Sequence, residues 1–298
     1  MELRQLKTFV KIAHSDSFLK AAEDLGYAQS TITSQIQLLE KELGIKLFER
    51  IGRNMKLTSR GLVFLNYAEK IITLANEAKE AISDVNVPMG TLKIGVVESL
   101  CTVKLPKLLQ DYNIKYPEVE VIIKLGTCSD LHDMLKNNVV DFIFTLGEPI
   151  IDSDLITCMS YNEPMAILAS PANKFAARKK LTLKDIANEP LILTEKGCSY
   201  RGVFESMFYI QNLKPHISLE VGSIETIKTF VANNLGITLL PVMAVENELK
   251  QGKLVKLDLV GCHFNMMTQI LYHKNKWLTP SMNVFIEAIK ATGGSISP

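Results

Sequence analysis

The stretch SFLKAAEDLGYAQSTITSQIQLLEKELG, residues 17–44, decides the fold of the first part of the chain. Ser17 has the chemistry of a helix N-cap and precedes a short apolar-faced segment carrying Phe18, Ala21, Ala22 and Leu25. Gly26 ends that helix, because the turn there needs a positive φ, which glycine adopts without steric cost. A longer helix follows over residues 28–43, with Ile32, Ile36 and Leu39 inward, and Gly44 stops it. Upstream, Leu3, Leu6, Phe9, Val10 and Ala13 recur at steps of three and four, which predicts a first helix with one apolar stripe. Helix, glycine turn and helix form the unit that sets one helix in a DNA major groove while its predecessor braces the backbone.

Residues 45–58 are short, basic and turn-rich around Gly52-Arg53-Asn54, and read as a two-stranded wing. Lys46, Arg50, Arg53, Lys56 and Arg60 face one acid, Glu49, inside a chain whose net charge is only +1. Such a run is either an electrostatic footprint for phosphate or a solvated charged face. From residue 59 to 87 helical spacing resumes, with Leu65, Ala68, Ile72, Ala75 and Ile82 at heptad-like steps that Lys79 interrupts. This seam pairs two chains or packs the helix on its own domain. Pro88 and Gly90 end it.

Beyond residue 90 strands and helices alternate. Strands are predicted over 92–97, 119–125, 142–146, 165–169, 191–193, 217–221, 237–240 and 266–272, and helices over 103–112, 131–137, 200–210, 225–233 and 280–289. The β-α-β order predicts a largely parallel sheet in each of two lobes, with no internal sequence repeat. The expected organisation is residues 1–58 for DNA binding, 59–89 as a linker helix, and 90–298 as an effector domain. Its lobes would be about 90–162 plus 265–298, and 163–264.

The outward positions at the start of the third helix are short hydroxyls and amides: Gln29, Ser30, Thr31, Thr33, Ser34 and Gln35. Glutamine pairs bidentately with adenine, serine and threonine serve bases or phosphates, and arginines on a wing meet the backbone or minor groove.

From Leu3 to Thr58 the chain resembles the LysR-type transcriptional regulators. The matching residues are Leu3-Arg4-Gln5-Leu6, Phe9, Ser17-Phe18, Ala21-Ala22, Leu25, Gln29-Ser30, Ser34-Gln35-Ile36, Leu39-Glu40, Leu43-Gly44, Leu47-Phe48-Glu49-Arg50 and Leu57-Thr58 with Gly61. Gly236-Ile237 and Leu240-Pro241 extend the likeness less specifically. The resemblance implies a winged helix-turn-helix, a dimerising linker helix and two α/β subdomains like those of periplasmic solute-binding proteins. It also implies a homotetramer, promoter DNA bent in response to a co-inducer, RNA polymerase as a further partner, and no enzymatic activity. Carried over by position, Gln29, Ser30, Thr31, Thr33 and Ser34 face DNA, with Arg50 and Arg53 as wing contacts. Tyr27 and Ala28 stand where the family varies, so they bear on which base sequence is read.

Open α/β sheets bind ligands outside the carboxyl ends of their strands, at helix N-termini. Three segments fit: Val97 to Thr102, Gly126 to Ser129, and Gly197 to Arg201. Ser99, Thr102, Thr127, Cys128, Ser129, Cys198, Ser199 and Arg201 are the candidate effector contacts, and helix N-termini plus a guanidinium favour a small carboxylate. The hydroxyls could instead only cap helices, and Arg201 could be an interlobe salt bridge. No cofactor is expected.

Five cysteines, Cys101, Cys128, Cys158, Cys198 and Cys262, form no CxxC pair, so zinc knuckles and thioredoxin-type motifs are not indicated. Cys198 lies where the peroxide-sensing branch of the family places its reactive thiol, which leaves a cysteine-based redox sensor as the alternative. An α/β enzyme with a Cys nucleophile ranks below it, because no Gly-rich phosphate loop, GxSxG or HExxH motif is present. With charges at Glu2, Arg4, Lys7, Lys11 and Asp16 and no apolar run of roughly 20 residues, the expected location is the cytoplasm.

Overall fold

The computed structural model describes residues 1–15, 17–51, 54–81 and 88–291. They fall into two compact units that divide near residue 85.

The first unit runs α1 (Leu3–Ser15), α2 (Phe18–Leu25), α3 (Gln29–Leu43), a hairpin of β1 (Phe48–Ile51) and β2 (Asn54–Leu57), and α4 (Ser59–Ala81). Ser17 caps α2 by accepting from the Lys20 N–H, and Gly26 and Gly44 close α2 and α3, each at φ 67°. Leu6, Phe9, Ile12, Ala22, Ile32, Ile36 and Leu39 make the core, and the rings of Phe9, Phe18, Phe48 and Phe64 meet edge-to-face or tilted within it. Glu40 fixes the entry to the wing. Its buried carboxylate accepts from the Leu47 and Phe48 N–H groups at 2.9 and 3.3 Å and from Lys46 Nζ at 2.6 Å. Thr58 then caps α4, its Oγ1 accepting from the Gly61 N–H at 2.9 Å.

The residues of the α4 seam follow the second of its two readings, packing on the helix's own unit. Ala68 is buried in the core of its own unit, and Leu65 and Ile72 pack against that core. The exposed apolar residues of α4 are Leu62, Val63, Tyr67 and Leu74, on the other side of the helix. Ile82 lies outside the described residues, as does Arg53.

The second unit holds two lobes of related plan, the first with one five-stranded sheet and the second with a two-stranded and a three-stranded sheet linked by one bridge. In lobe I, β3 (Gly90–Val96) lies between its parallel neighbours β4 (Val119–Leu125) and β5 (Phe142–Gly147). Antiparallel β12 (Met267–His273) follows β5, and β6 (Leu155–Asn162) forms the edge. In lobe II, β8 (Leu191–Leu193) pairs in parallel with β9 (Ile217–Glu220) and, through a Leu191–Ile237 bridge, runs beside β10 (Thr238–Pro241). Antiparallel β7 (Met165–Ala169) follows β10, and β11 (Val255–Lys256) forms the edge. Each lobe therefore combines parallel and antiparallel pairing, which corrects the largely parallel expectation. The helices are α5 (Glu98–Val103), α6 (Leu105–Lys115), α7 (Cys128–Lys136) and α12 (Pro280–Ala291) in lobe I, and α8 (Leu183–Ile186), α9 (Ser199–Ile210), α10 (Ile224–Ala232) and α11 (Glu246–Lys250) in lobe II.

The chain crosses between the sheets twice, from β6 to β7 and from β11 to β12. The crossings are bonded to each other: the Glu163 N–H donates to Met266 O at 2.8 Å, and Thr268 Oγ1 donates to Glu163 Oε2 at 3.1 Å.

Candidate DNA interface and interlobe cleft

Over the first half of α3 the exposed polar side chains include Gln29, Ser30, Ser34 and Gln37, with Thr31 and Thr33 beside them. Gln29, Thr33 and Gln37 stand at i, i+4 and i+8, so they share one face. Thr33 Oγ1 donates to Gln29 O at 2.9 Å and keeps its lone pairs outward. Gln35 is corrected: it is 5% exposed, and its Oε1 accepts from Thr8 Oγ1 at 2.6 Å. It belongs to the seam between α1 and α3. Gln37 was missed, although its spacing from Gln29 and Thr33 carries the signal.

Arg50 is exposed on the wing. Between α3 and the wing runs an open groove of about 820 Å³, lined by Gln29, Thr33, Gln37, Lys46 and Arg50 among others. Amides, a hydroxyl and two cations along one groove are suited to base edges flanked by phosphates.

In the second unit the carboxyl ends of β3, β4 and β8 converge on a cavity of about 30 Å³. Lobe I gives Glu98, Ser99, Thr127 and Cys128, and lobe II gives Thr194, Glu195, Cys198, Ser199 and Tyr200. The lobes touch closely here. A Cβ on Gly147 would lie 2.5 Å from Ser199 Oγ, so only glycine admits this approach. Glu98 crosses the cleft to the N-terminus of α10, its two oxygens accepting from the Ile224 N–H at 3.1 and 3.0 Å.

Of the eight candidate effector contacts, Ser99, Thr127, Cys128, Cys198 and Ser199 line this cavity; Thr102, Ser129 and Arg201 do not. The Thr102 hydroxyl donates back to Glu98 O and Ser99 O on its own helix. Ser129 is exposed on α7. Arg201 is neither an anion contact nor an interlobe bridge. Its buried guanidinium donates to Glu205 at 2.6 Å, to Glu220 at 2.7 Å and to Thr194 O, all within lobe II. Glu205 stood four residues on and was legible as a partner; Glu220 on β9 was not. Glu98 and Tyr200 lie in two of the expected segments without being among the candidate contacts, and Thr194 and Glu195 were missed.

Burial raises the thiols of Cys128 and Cys198 above the ordinary range, and charge on Cys198 further disfavours ionisation of Cys128. The same desolvation raises Cys101, Cys158 and Cys262. Among the described residues no three His, Cys, Asp or Glu could hold a metal ion, and no helix is long and apolar enough to cross a membrane.

The comparisons with known proteins agree with this architecture. Residues 3–62 match the family of bacterial regulatory helix-turn-helix proteins of the lysR type, and residues 86–294 match the LysR substrate binding domain. An HTH-type transcriptional regulator of Bacillus subtilis, YwqM, is 38% identical over 293 residues, covering 98% of this chain and 99% of its own. The structure of a full-length OxyR variant from Pseudomonas aeruginosa shares the fold, with TM-score 0.71 at 23% identity, covering 97% of this chain and 95% of that one. Full-length CbnR complexed with its target DNA does so too, with TM-score 0.69 at 22% identity, covering 98% of this chain and 100% of that one. A helix-turn-helix unit with an exposed amide-and-hydroxyl face, joined to a two-lobed domain that matches the LysR substrate-binding model, makes this chain a DNA-binding transcriptional regulator of the LysR type, not an enzyme.

Proposed function

We propose that the protein reads promoter DNA with Gln29, Ser30, Thr31, Thr33, Ser34 and Gln37 on α3, with Arg50 and Arg53 on the wing, and answers a small carboxylate-type effector in the interlobe cleft. The observation that carries the DNA half is the groove between α3 and the wing, where the outward amides and hydroxyls lie beside Lys46 and Arg50. The effector half is supported by hydroxyls from both lobes meeting in one cavity, Ser99 and Thr127 from one and Ser199 from the other. The preference for an anion rests on the helix N-termini of α9 and α10, because Arg201 is committed elsewhere. The exposed apolar residues Leu62, Val63, Tyr67 and Leu74 of α4 support a dimer, and a dimer of dimers follows the family pattern. RNA polymerase and a cytoplasmic location belong to the same reading.

Footprinting on the promoter beside the protein's own gene, repeated with a panel of small carboxylates, tests both halves. A protected site whose extent or affinity shifts with one carboxylate supports the reading. No protection at any sequence sinks the DNA half, and a ligand response unaltered in Ser99→Ala and Ser199→Ala proteins removes the cleft as the site.

Redox sensing is the second reading. What favours it is that the fold sets Cys128 and Cys198 in the wall of one cavity. What weighs against it is that burial raises both thiols, which lowers the thiolate needed for attack on peroxide. Mass spectrometry after mild peroxide treatment separates the two: a Cys128–Cys198 disulfide supports redox sensing, and free thiols throughout dispose of it.

A further inference from the structure

We infer that Glu98 occupies, from within the chain, a carboxylate subsite at the N-terminus of α10, and that an anionic effector enters the cleft by taking its place. The inference rests on the cleft being the effector site.

Glu98 is the first residue of α5 in lobe I, and Ile224 is the first residue of α10 in lobe II. The Ile224 N–H meets both carboxylate oxygens at about equal distance, 3.1 and 3.0 Å. Ser223 caps the same helix through the Thr226 N–H, so the end of α10 already holds one side-chain acceptor of its own and takes a second from the opposite lobe. An end of this kind presents N–H groups and a positive dipole end to an anion.

The position is costly for the glutamate. Burial lifts its carboxyl above the usual range, and the nearby charges of Glu195 and Glu225 add to the rise, while the Ile224 N–H and the Ser223 hydroxyl oppose it. Among the described residues no lysine or arginine lines the cavity, and the hydrogen bonds at α10 hold the carboxylate there. An incoming carboxylate could take over those bonds and release Glu98 to water.

A second feature points to a ligand. Thr194 is 4% exposed, stands in the wall of the same cavity, and its Oγ1 has no oxygen or nitrogen partner. The Cys198 sulfur, a weak hydrogen-bonding group, interacts with its side chain. A buried hydroxyl left so is uncommon and is satisfied by a ligand oxygen or a water. At about 30 Å³ the cavity has room for about one water. A carboxylate-bearing molecule therefore fits only once the Glu98 side chain has swung out. The exchange also breaks a tie between the lobes and puts the ligand in its place, which couples binding to lobe movement.

The test is an exchange experiment on the full-length protein. Propionate has the size and charge of the glutamate side chain beyond its Cα. Thermal unfolding of wild type, Glu98→Ala and Glu98→Gln is followed against sodium propionate, with propionamide and sodium chloride at matched concentration and ionic strength. The expected result is a lower Tm for Glu98→Ala, restored by propionate in a saturable way, with apparent affinity at least tenfold tighter than for wild type. Propionamide and chloride leave it unrestored. Glu98→Gln keeps the shape and one acceptor, and should also bind propionate more tightly than wild type; it carries the comparison if Glu98→Ala does not fold. Equal propionate responses in wild type and variants, or rescue by propionamide as well, overturn the inference. Neither DNA nor the native effector enters the experiment, so a failed rescue removes the subsite alone. Failure of the effector reading shows instead as an unchanged footprint in the carboxylate panel.

Discussion

The hydroxyl of Thr8 donates a 2.6 Å hydrogen bond to Oε1 of Gln35 in the buried seam between α1 and α3. Gln35→Ala leaves the Thr8 hydroxyl without its acceptor and should cost about 1–3 kcal/mol in stability. Replacing both partners by apolar groups, as Thr8→Val with Gln35→Leu, should recover most of that loss. Urea unfolding checks the pair. A Gln35→Ala protein of unchanged stability and weakened DNA binding would restore Gln35 to the interface.

The outward residues behave differently. Ser34→Ala and Gln37→Ala should leave stability within about 0.5 kcal/mol of wild type, as surface changes usually do. Each should weaken specific binding by about 1–3 kcal/mol if it touches a base. Arg50→Ala should lower affinity for all sequences alike and reduce the slope of log K against log salt by about 1. Fluorescence anisotropy at several salt concentrations distinguishes the two patterns.

Arg201 is predicted to matter for folding rather than for the effector. The residue is 5% exposed, and its guanidinium pairs with Glu205 and Glu220 while donating to a backbone carbonyl. Arg201→Met should destabilise the protein by about 1–3 kcal/mol, mainly because the Thr194 carbonyl and the partly buried Glu205 lose their donor, while Glu220 returns to water. At a temperature where the variant is folded, effector affinity should match wild type; a large loss of affinity with unchanged stability would reverse the assignment.

Gly147 sets how closely the lobes approach. A Cβ there falls 2.5 Å from Ser199 Oγ and 2.8 Å from Ser199 Cβ. Gly147→Ala should therefore lower the unfolding midpoint, and adding Ser199→Gly should return part of the loss. A double-mutant cycle reads the coupling. Additive effects would mean that the two positions do not meet.

Among the thiols, Cys158 is pushed up to about 11, chiefly by burial. Its alkylation by iodoacetamide should rise with pH to a midpoint near that value, against about 8.5 for a free cysteine. A folded pKa above the unfolded one means that stability falls as pH climbs from the unfolded value toward the folded one. Quantitative peptide mapping across the alkaline range gives the rate profile, and a midpoint near that of a free cysteine would contradict it.

Much of this was legible in the residues, and the failures have physical causes. Ser17, Gly26 and Gly44 acted where their local chemistry put them, because caps are settled within a few residues. Gln35 misled because its polarity suggested the surface, while its spacing from Ile32 and Leu39 placed it on the inward face. On α4 the apolar residues go more than halfway round, and periodicity alone did not say which side meets the unit's own core. The edge strand β6 was missed because neither face is deeply buried, so its alternation is faint. In the cleft, hydroxyls at strand ends were readable, whereas the reach of Glu98 to Ile224 spans 126 positions and only the folded topology brings it about.

The paired crossings between β6 and β7 and between β11 and β12 bear on the mechanics of the effector domain. One covalent link would act as a ball joint and let the lobes swivel in any direction. Two links fastened side by side by the Glu163–Met266 hydrogen bond act as a door hinge, with one easy axis. Two fastened crossings thus leave one easy direction for any motion of one lobe against the other.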